Sequence, residues 1–328
     1  MLNYKNFIEM TNAYKTVSMD IQSLRISHAY LFTSTDENYL FSFSLMFSKL
    51  LINMNDLENA NKNNLRIEKG IFPDVHIYGK DSTIDAQKVN DIIEKVQVSP
   101  FEADKKIFIL YNIQNISEIN QNKLLKTIEE THKNTYFILC AKETSRTLQT
   151  ILSRVKKIEL DEISPEIIFD LLIDSGVEKN RAVICSSCAN GNSSFAEKLS
   201  SDNSFVEFFN KIVSCFYYIN GSRDVLQFSS YFTAKSVDKN EFFDVSLLIL
   251  RDLAYVISKN ENLVTCKHIL DKLKLIAVSL NLDSITLLIE TCFSSKKDLA
   301  FNTNPTSVID NFLFKLAEVK IKCKRLLL

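Results

Sequence analysis

Five short β-rich runs occupy the first half of the chain, at 28–33 (HAYLFT), 74–78 (DVHIY), 105–110 (KKIFIL), 135–140 (TYFILC) and 155–160 (VKKIEL), and the strand signal stops after Leu160. Segments with apolar residues at helical spacing separate them, at 38–52, 85–97 and 118–130. Ile107 to Leu110 and Phe137 to Cys140 are apolar without alternation, as strands covered on both faces are. This alternation predicts an α/β domain doubly wound around a parallel sheet. Past Leu160, Ser164-Pro165 followed by Glu166 reads as the capped start of a small helical unit, and 203–328 carries about five or six longer helices. With the polar stretch SSDN at 200–203 as a boundary, three domains are expected: 1–160, 161–202 and 203–328.

The first strand, turn and helix, HAYLFTSTDENYLFS from His28, have the frame of a nucleotide site without its chemistry. A G-x-x-x-x-G-K-[ST] loop needs glycines so that backbone N–H groups wrap the phosphates, a lysine for the terminal phosphate and a hydroxyl for magnesium. Ser34, Tyr39, Leu40 and Phe41 stand in those places. The five glycines of the chain are Gly70, Gly79, Gly176, Gly191 and Gly221, so none lies at this junction, and no G-K-[ST] triplet occurs. An acidic pair should end the strand 107–110 to hold magnesium and polarise water, but Tyr111 and Asn112 follow instead. Two independent losses point the same way, and neither ATP binding nor any other cofactor is expected.

A net charge of −1 gives no global electrostatic case for nucleic acid or membrane, and no apolar run reaches the length of a span, so a cytoplasmic protein is expected. Seven cysteines scattered through apolar segments read as reduced, buried thiols. Cys185 and Cys188 form a lone C-x-x-C without a second pair or a nearby histidine, better read as small helix residues than as a metal or redox motif. His28, His76, His132 and His268 are isolated, and packing is favoured over catalysis for each.

The runs RISHAYLF, FPDVHIY, VSPFEADKKIFIL, INQNKLLKTIEE, TYFILCAKE and TILSRV together resemble the delta-prime subunits of bacterial DNA polymerase III clamp loaders, densely over about 25–160. LLILRDL (247–253) and FNTNPTSVIDNFLFKL (301–316) extend the resemblance into the last region. It implies an AAA+ fold: an α/β module with a degenerate P-loop, a three-helix lid and a helical collar. It also implies a usually non-hydrolysing subunit that assembles with gamma- or tau-like ATPase subunits and a delta-like subunit, to load the sliding clamp onto primer–template DNA. In that family the arginine of a Ser-Arg-Cys motif reaches into a neighbour's ATP site; Ser153-Arg154 match it, with Val155 in place of cysteine. Such an arginine should project from the edge of the α/β domain.

Two family features are missing. Many relatives carry a four-cysteine zinc module, but residues 52–72 contain no cysteine and Phe72 replaces the histidine before Pro73-Asp74, so no zinc is expected. In the lid, Ser194 stands in the nearest register to the motor subunits' nucleotide-sensing arginine. Lys123 and Lys126 lie on nearly one helix face and are candidates for a phosphate backbone, although a solvated face with Lys126 pairing Glu129 or Glu130 is the preferred reading. An ATP-hydrolysing motor subunit or another P-loop ATPase is the competing class, and a standalone nucleic-acid-binding protein a third. The missing glycine loop and acidic pair speak against the former, and the absent basic surplus against the latter.

Overall fold

In a computed structural model, which describes residues 2–130, 134–301 and 303–326, five strands form one parallel sheet. They are β1 (Ala29–Thr33), β2 (Val75–Tyr78), β3 (Lys106–Leu110), β4 (Thr135–Ala141) and β5 (Lys156–Glu159), in the order β2-β3-β4-β1-β5. All five coincide with the runs read from the sequence. Ala29 registers with Phe137 and Tyr30 with Lys156, so β1 lies between β4 and the edge strand β5. Every residue of β3 is buried, which explains the unbroken apolar run from Ile107 to Leu110.

The helices are α1 (Lys5–Met10), α2 (Asn12–Gln22), α3 (Glu37–Ile52), α4 (Ala60–Glu68), α5 (Ala86–Val96), α6 (Glu118–Glu129), α7 (Gln149–Leu152) and α8 (Pro165–Asp174), then α9 (Lys179–Cys188), α10 (Ser193–Ser201), α11 (Phe205–Tyr218), α12 (Ser222–Phe232), α13 (Lys239–Ile257), α14 (Leu270–Ala277), α15 (Leu282–Ala300) and α16 (Pro305–Leu326). Two compact units divide the chain: Met1–Ser175 with Gly191–Phe195, and Gly176–Asn190 with Ala196–Leu328. Residues 131–133, including His132, fall outside the described part.

In the first unit, Ile92 and Val96 of α5 and Leu124 and Ile128 of α6 cluster with Phe108, Leu110, Phe137 and Leu139 of the sheet. Phe43 and Phe47 of α3 meet Phe32 and Tyr30 of β1 edge to face, with ring centroids 4.9 and 4.7 Å apart. Each ring so buried contributes roughly 1.5–3 kcal/mol. Helix starts are set by side-chain caps: Asp36 for α3, Asp85 for α5 and Ser164, followed by Pro165, for α8. Buried Asp74 anchors the loop before β3 by accepting from the N–H groups of Phe101, Glu102 and Ala103 at 2.6, 2.7 and 2.8 Å. α1, α2 and α4 were not legible in the sequence; α2, for example, buries only Ala13 and Val17, too few apolar positions for a periodic signal.

In the second unit, Phe208, Phe232, Phe242 and Phe312 form a chain of ring contacts at 4.6–6.3 Å. Buried Lys320 donates from Nζ to the carbonyls of Phe216 and Tyr217 at 2.8 and 3.1 Å, placing a cation at the carbonyl end of α11. All seven cysteines are buried with free thiols, and burial pushes the Cys185 thiol up to about 12 and that of Cys188 well above its usual value. Unreactive packing thiols, as read from the sequence, are what α9 contains. His268 lies against Phe209 with centroids 5.7 Å apart, and in the first unit His76 stacks on Phe108 at 4.9 Å; burial lowers the pKa of both, consistent with packing roles. Among the described residues, no single helix is long and apolar enough to cross a membrane.

Candidate functional site

Only Ser34, Thr35 and Asp36 separate the end of β1 from the start of α3. Tyr39, Leu40 and Phe41 therefore lie inside the first turns of the helix, and little backbone is left to wrap a phosphate. The Tyr39 ring is buried against Phe7 and Tyr4, with centroids 5.2 and 6.0 Å away.

Asp36 was not singled out in the sequence, yet it organises this junction. Its carboxylate, 2% exposed, caps α3 by accepting from Tyr39 N at 3.1 Å. It also accepts from Ser193 N at 2.6 Å, from Ser193 Oγ, and from Ser194 Oγ at 2.5 Å. Ser194 Oγ accepts from Asn38 N at 2.9 Å, and Asn192 Nδ2 donates to the Thr35 carbonyl at 3.0 Å. Since Ser193 Oγ gives its proton to Asp36, Tyr4 OH, 2.7 Å away, donates to it. Free N–H groups at a helix start draw anions. Here one carboxylate of the chain itself serves the first turns of α3 and α10, and Ser194 closes on it.

The other half of the frame is also turned to internal contacts. Tyr111, at the end of β3, is buried and its hydroxyl bonds Ser44 Oγ; burial drives its pKa well above the usual tyrosine value. Asn112 adopts a left-handed conformation (φ 56°) and donates from Nδ2 to the Gly79 carbonyl at 3.0 Å. Gly79 itself has φ +81°, and a Cβ there would stand 2.3 Å from the Tyr111 carbonyl oxygen, so the close approach of the two loops requires glycine.

A cavity of about 220 Å³ remains at the carboxyl ends of the strands, lined by Leu40, Phe41, Tyr111 and Asn112 together with Lys80 and Lys142. The two lysines arrive from the ends of β2 and β4, a convergence that only the sheet creates. Lys80 Nζ stands 3.4 Å from the centre of the Phe41 ring and Lys142 is paired with Glu37, so both charges are already engaged.

Arg154 lies at the opposite end of the sheet, in the turn between α7 and the edge strand β5. Its side chain is 39% exposed; Nε donates to Glu129, and Nη1 donates to the Thr150 carbonyl at 2.8 Å and to Ser153 Oγ at 3.2 Å. Ser153 is exposed beside it. Lys123 and Lys126 are exposed on α6, and Lys126 lies 4.0 Å from Glu130, the loose i,i+4 pair of a solvated face.

The parallel sheet, its flanking helices and the all-helical second half define the class, an α/β domain wound around one parallel sheet and followed by a helical region. Residues 10–164 match the family described as "DNA polymerase III, delta subunit". The chain is 25% identical to DNA polymerase III subunit delta' of Bacillus subtilis over 314 residues, 93% of this chain and 95% of that protein. It is 34% identical to subunit delta' of Haemophilus influenzae over 116 residues, 34% of this chain and 35% of that one. A DNA polymerase III gamma subunit-related protein of Thermotoga maritima aligns in structure over 93% of this chain and 99% of its own, with a TM-score of 0.43 and 14% identity, too remote a likeness to bear on function. The resemblance to delta-prime subunits read from the sequence is borne out.

Proposed function

We propose that this chain is a non-hydrolysing, delta-prime-like subunit of a bacterial replicative clamp loader, working in the cytoplasm. It assembles with gamma- or tau-like ATPase subunits and a delta-like subunit, and through them acts on the sliding clamp and primer–template DNA. Residues 161–202 serve as the lid and 203–328 as the collar, while Arg154 is offered to a neighbour's ATP site. The observation that carries the inert half of this reading is Asp36: a carboxylate filling the start of α3 with four hydrogen bonds leaves no vacancy for phosphate and repels one. Calorimetric titration of the isolated chain with Mg-ATP is expected to give no binding in the micromolar range, and a micromolar isotherm would contradict the reading.

Assembly is tested by truncation. The helices after residue 203 leave Tyr218, Leu226 and Phe293 exposed at 61%, 66% and 61%, apolar surface available for packing against other subunits. A 1–202 fragment mixed with the partner subunits is expected to lose at least tenfold in assembly affinity by analytical ultracentrifugation. Assembly equal to that of the full chain would remove the collar assignment.

A further inference from the structure

Glu129 is the last residue of α6, 25 positions before Arg154, and its carboxylate accepts from Arg154 Nε. Thr150 and Ser153 take the Nη1 donors. Three contacts thus hold the guanidinium at Nε and at Nη1, while Nη2, with two N–H groups, has no hydrogen-bond partner among the described residues. The pair is 39% and 41% exposed, and an ion pair in that setting contributes little to folding. Its other consequence is conformational. A free arginine at a strand entrance samples many rotamers, whereas this one is held at two of its three nitrogens, with the Nη2 donors left over among the described residues. Glu129 is available for the task because Lys126 is placed toward Glu130 instead.

We propose that Glu129 is a positioning residue for Arg154, holding its guanidinium so that Nη2 meets phosphoryl oxygens of a neighbouring subunit's nucleotide; this rests on the function proposed above. Pre-placement removes the reorganisation otherwise needed when charge develops on the transferring group. The test uses the full chain reconstituted with its ATPase and delta-like partners, reading DNA-stimulated ATP hydrolysis. Glu129→Ala is expected to lower kcat about three- to tenfold with KM for ATP unchanged, because the loss is in the transition state. Glu129→Gln keeps an acceptor oxygen at the same reach and should recover most of the rate. The double variant Glu129→Ala/Arg154→Ala should be no slower than Arg154→Ala alone, since both act through one group. An unchanged kcat for Glu129→Ala, or a loss that adds to that of Arg154→Ala, overturns the positioning role while leaving the trans arginine in place. If Arg154→Ala itself leaves the rate unchanged in an assembled complex, the trans reading fails and this inference goes with it.

Discussion

Asp36→Ala is expected to destabilise the α/β unit by roughly 3–5 kcal/mol, and to do so without creating a nucleotide site. The substitution removes a helix cap, worth about 1 kcal/mol. It also leaves Ser193 N and the Ser193 and Ser194 hydroxyls without their acceptor in a buried setting, at about 1–3 kcal/mol for each donor that finds no replacement. The hydroxyls can turn elsewhere, so the costs do not simply add. At 2–4 °C per kcal/mol for a unit of this size, the melting temperature should fall by about 10 °C. Asp36→Asn retains a capping oxygen and should lose about half as much. Chemical denaturation gives the stability change, and hydrogen exchange of the Ser193 amide localises it. An unaltered denaturation midpoint with a still-protected Ser193 amide would show that the carboxylate does not organise this junction.

Arg154→Ala is expected to leave folding and assembly intact while lowering DNA-stimulated ATP hydrolysis by the reconstituted loader. The side chain is exposed in the turn before the edge strand β5, its ion pair with Glu129 is of the weak surface kind, and nothing in the core depends on it. An arginine delivered across an interface is worth on the order of 10³–10⁵ in rate where it is the main stabiliser of the transferring phosphoryl group. A smaller loss, roughly 10- to 100-fold, is expected here, on the reading that the loader's sites fire in one coupled cycle that slows to the pace of the site this chain completes. Arg154→Lys should not restore the rate: an ammonium is a point charge and lacks the planar fork. Clamp loading should fall in parallel. Equal hydrolysis and loading rates for wild-type and Arg154→Ala complexes, with assembly verified, would leave Arg154 as a surface residue paired to Glu129.

The sheet was legible because burial on both faces writes itself into a strand: the buried runs Ile107–Leu110 of β3 and Phe137–Cys140 of β4 need uninterrupted apolar residues, whatever lies beside them. The start of α8 was legible for a local reason too, since Ser164 and Pro165 act on the backbone next to them. The absence of a glycine-lined, lysine-bearing loop was legible directly, since no glycine precedes Gly70 and Leu40, Tyr111 and Asn112 stand where a lysine and an acidic pair would be needed. α1, α2 and α4 were not visible, because they are short and docked by a few residues each, so tertiary packing and not periodicity stabilises them.

The sequence by itself determined the α/β-then-helical order, the lack of a phosphate loop and the presence of Arg154 at an exposed strand entrance, since each depends on neighbours a few residues apart. What meets the start of α3 was decided only in three dimensions. Asp36 and Ser193 are 157 residues apart, Lys80 and Lys142 meet the same cavity from two strand ends, and Glu129 reaches Arg154 from another helix. Hydrogen bonds and charge pairs act over a few ångströms of space and take no account of separation along the chain, so a lone Asp or Glu carries no mark of its partner until the sheet and its helices bring the two together.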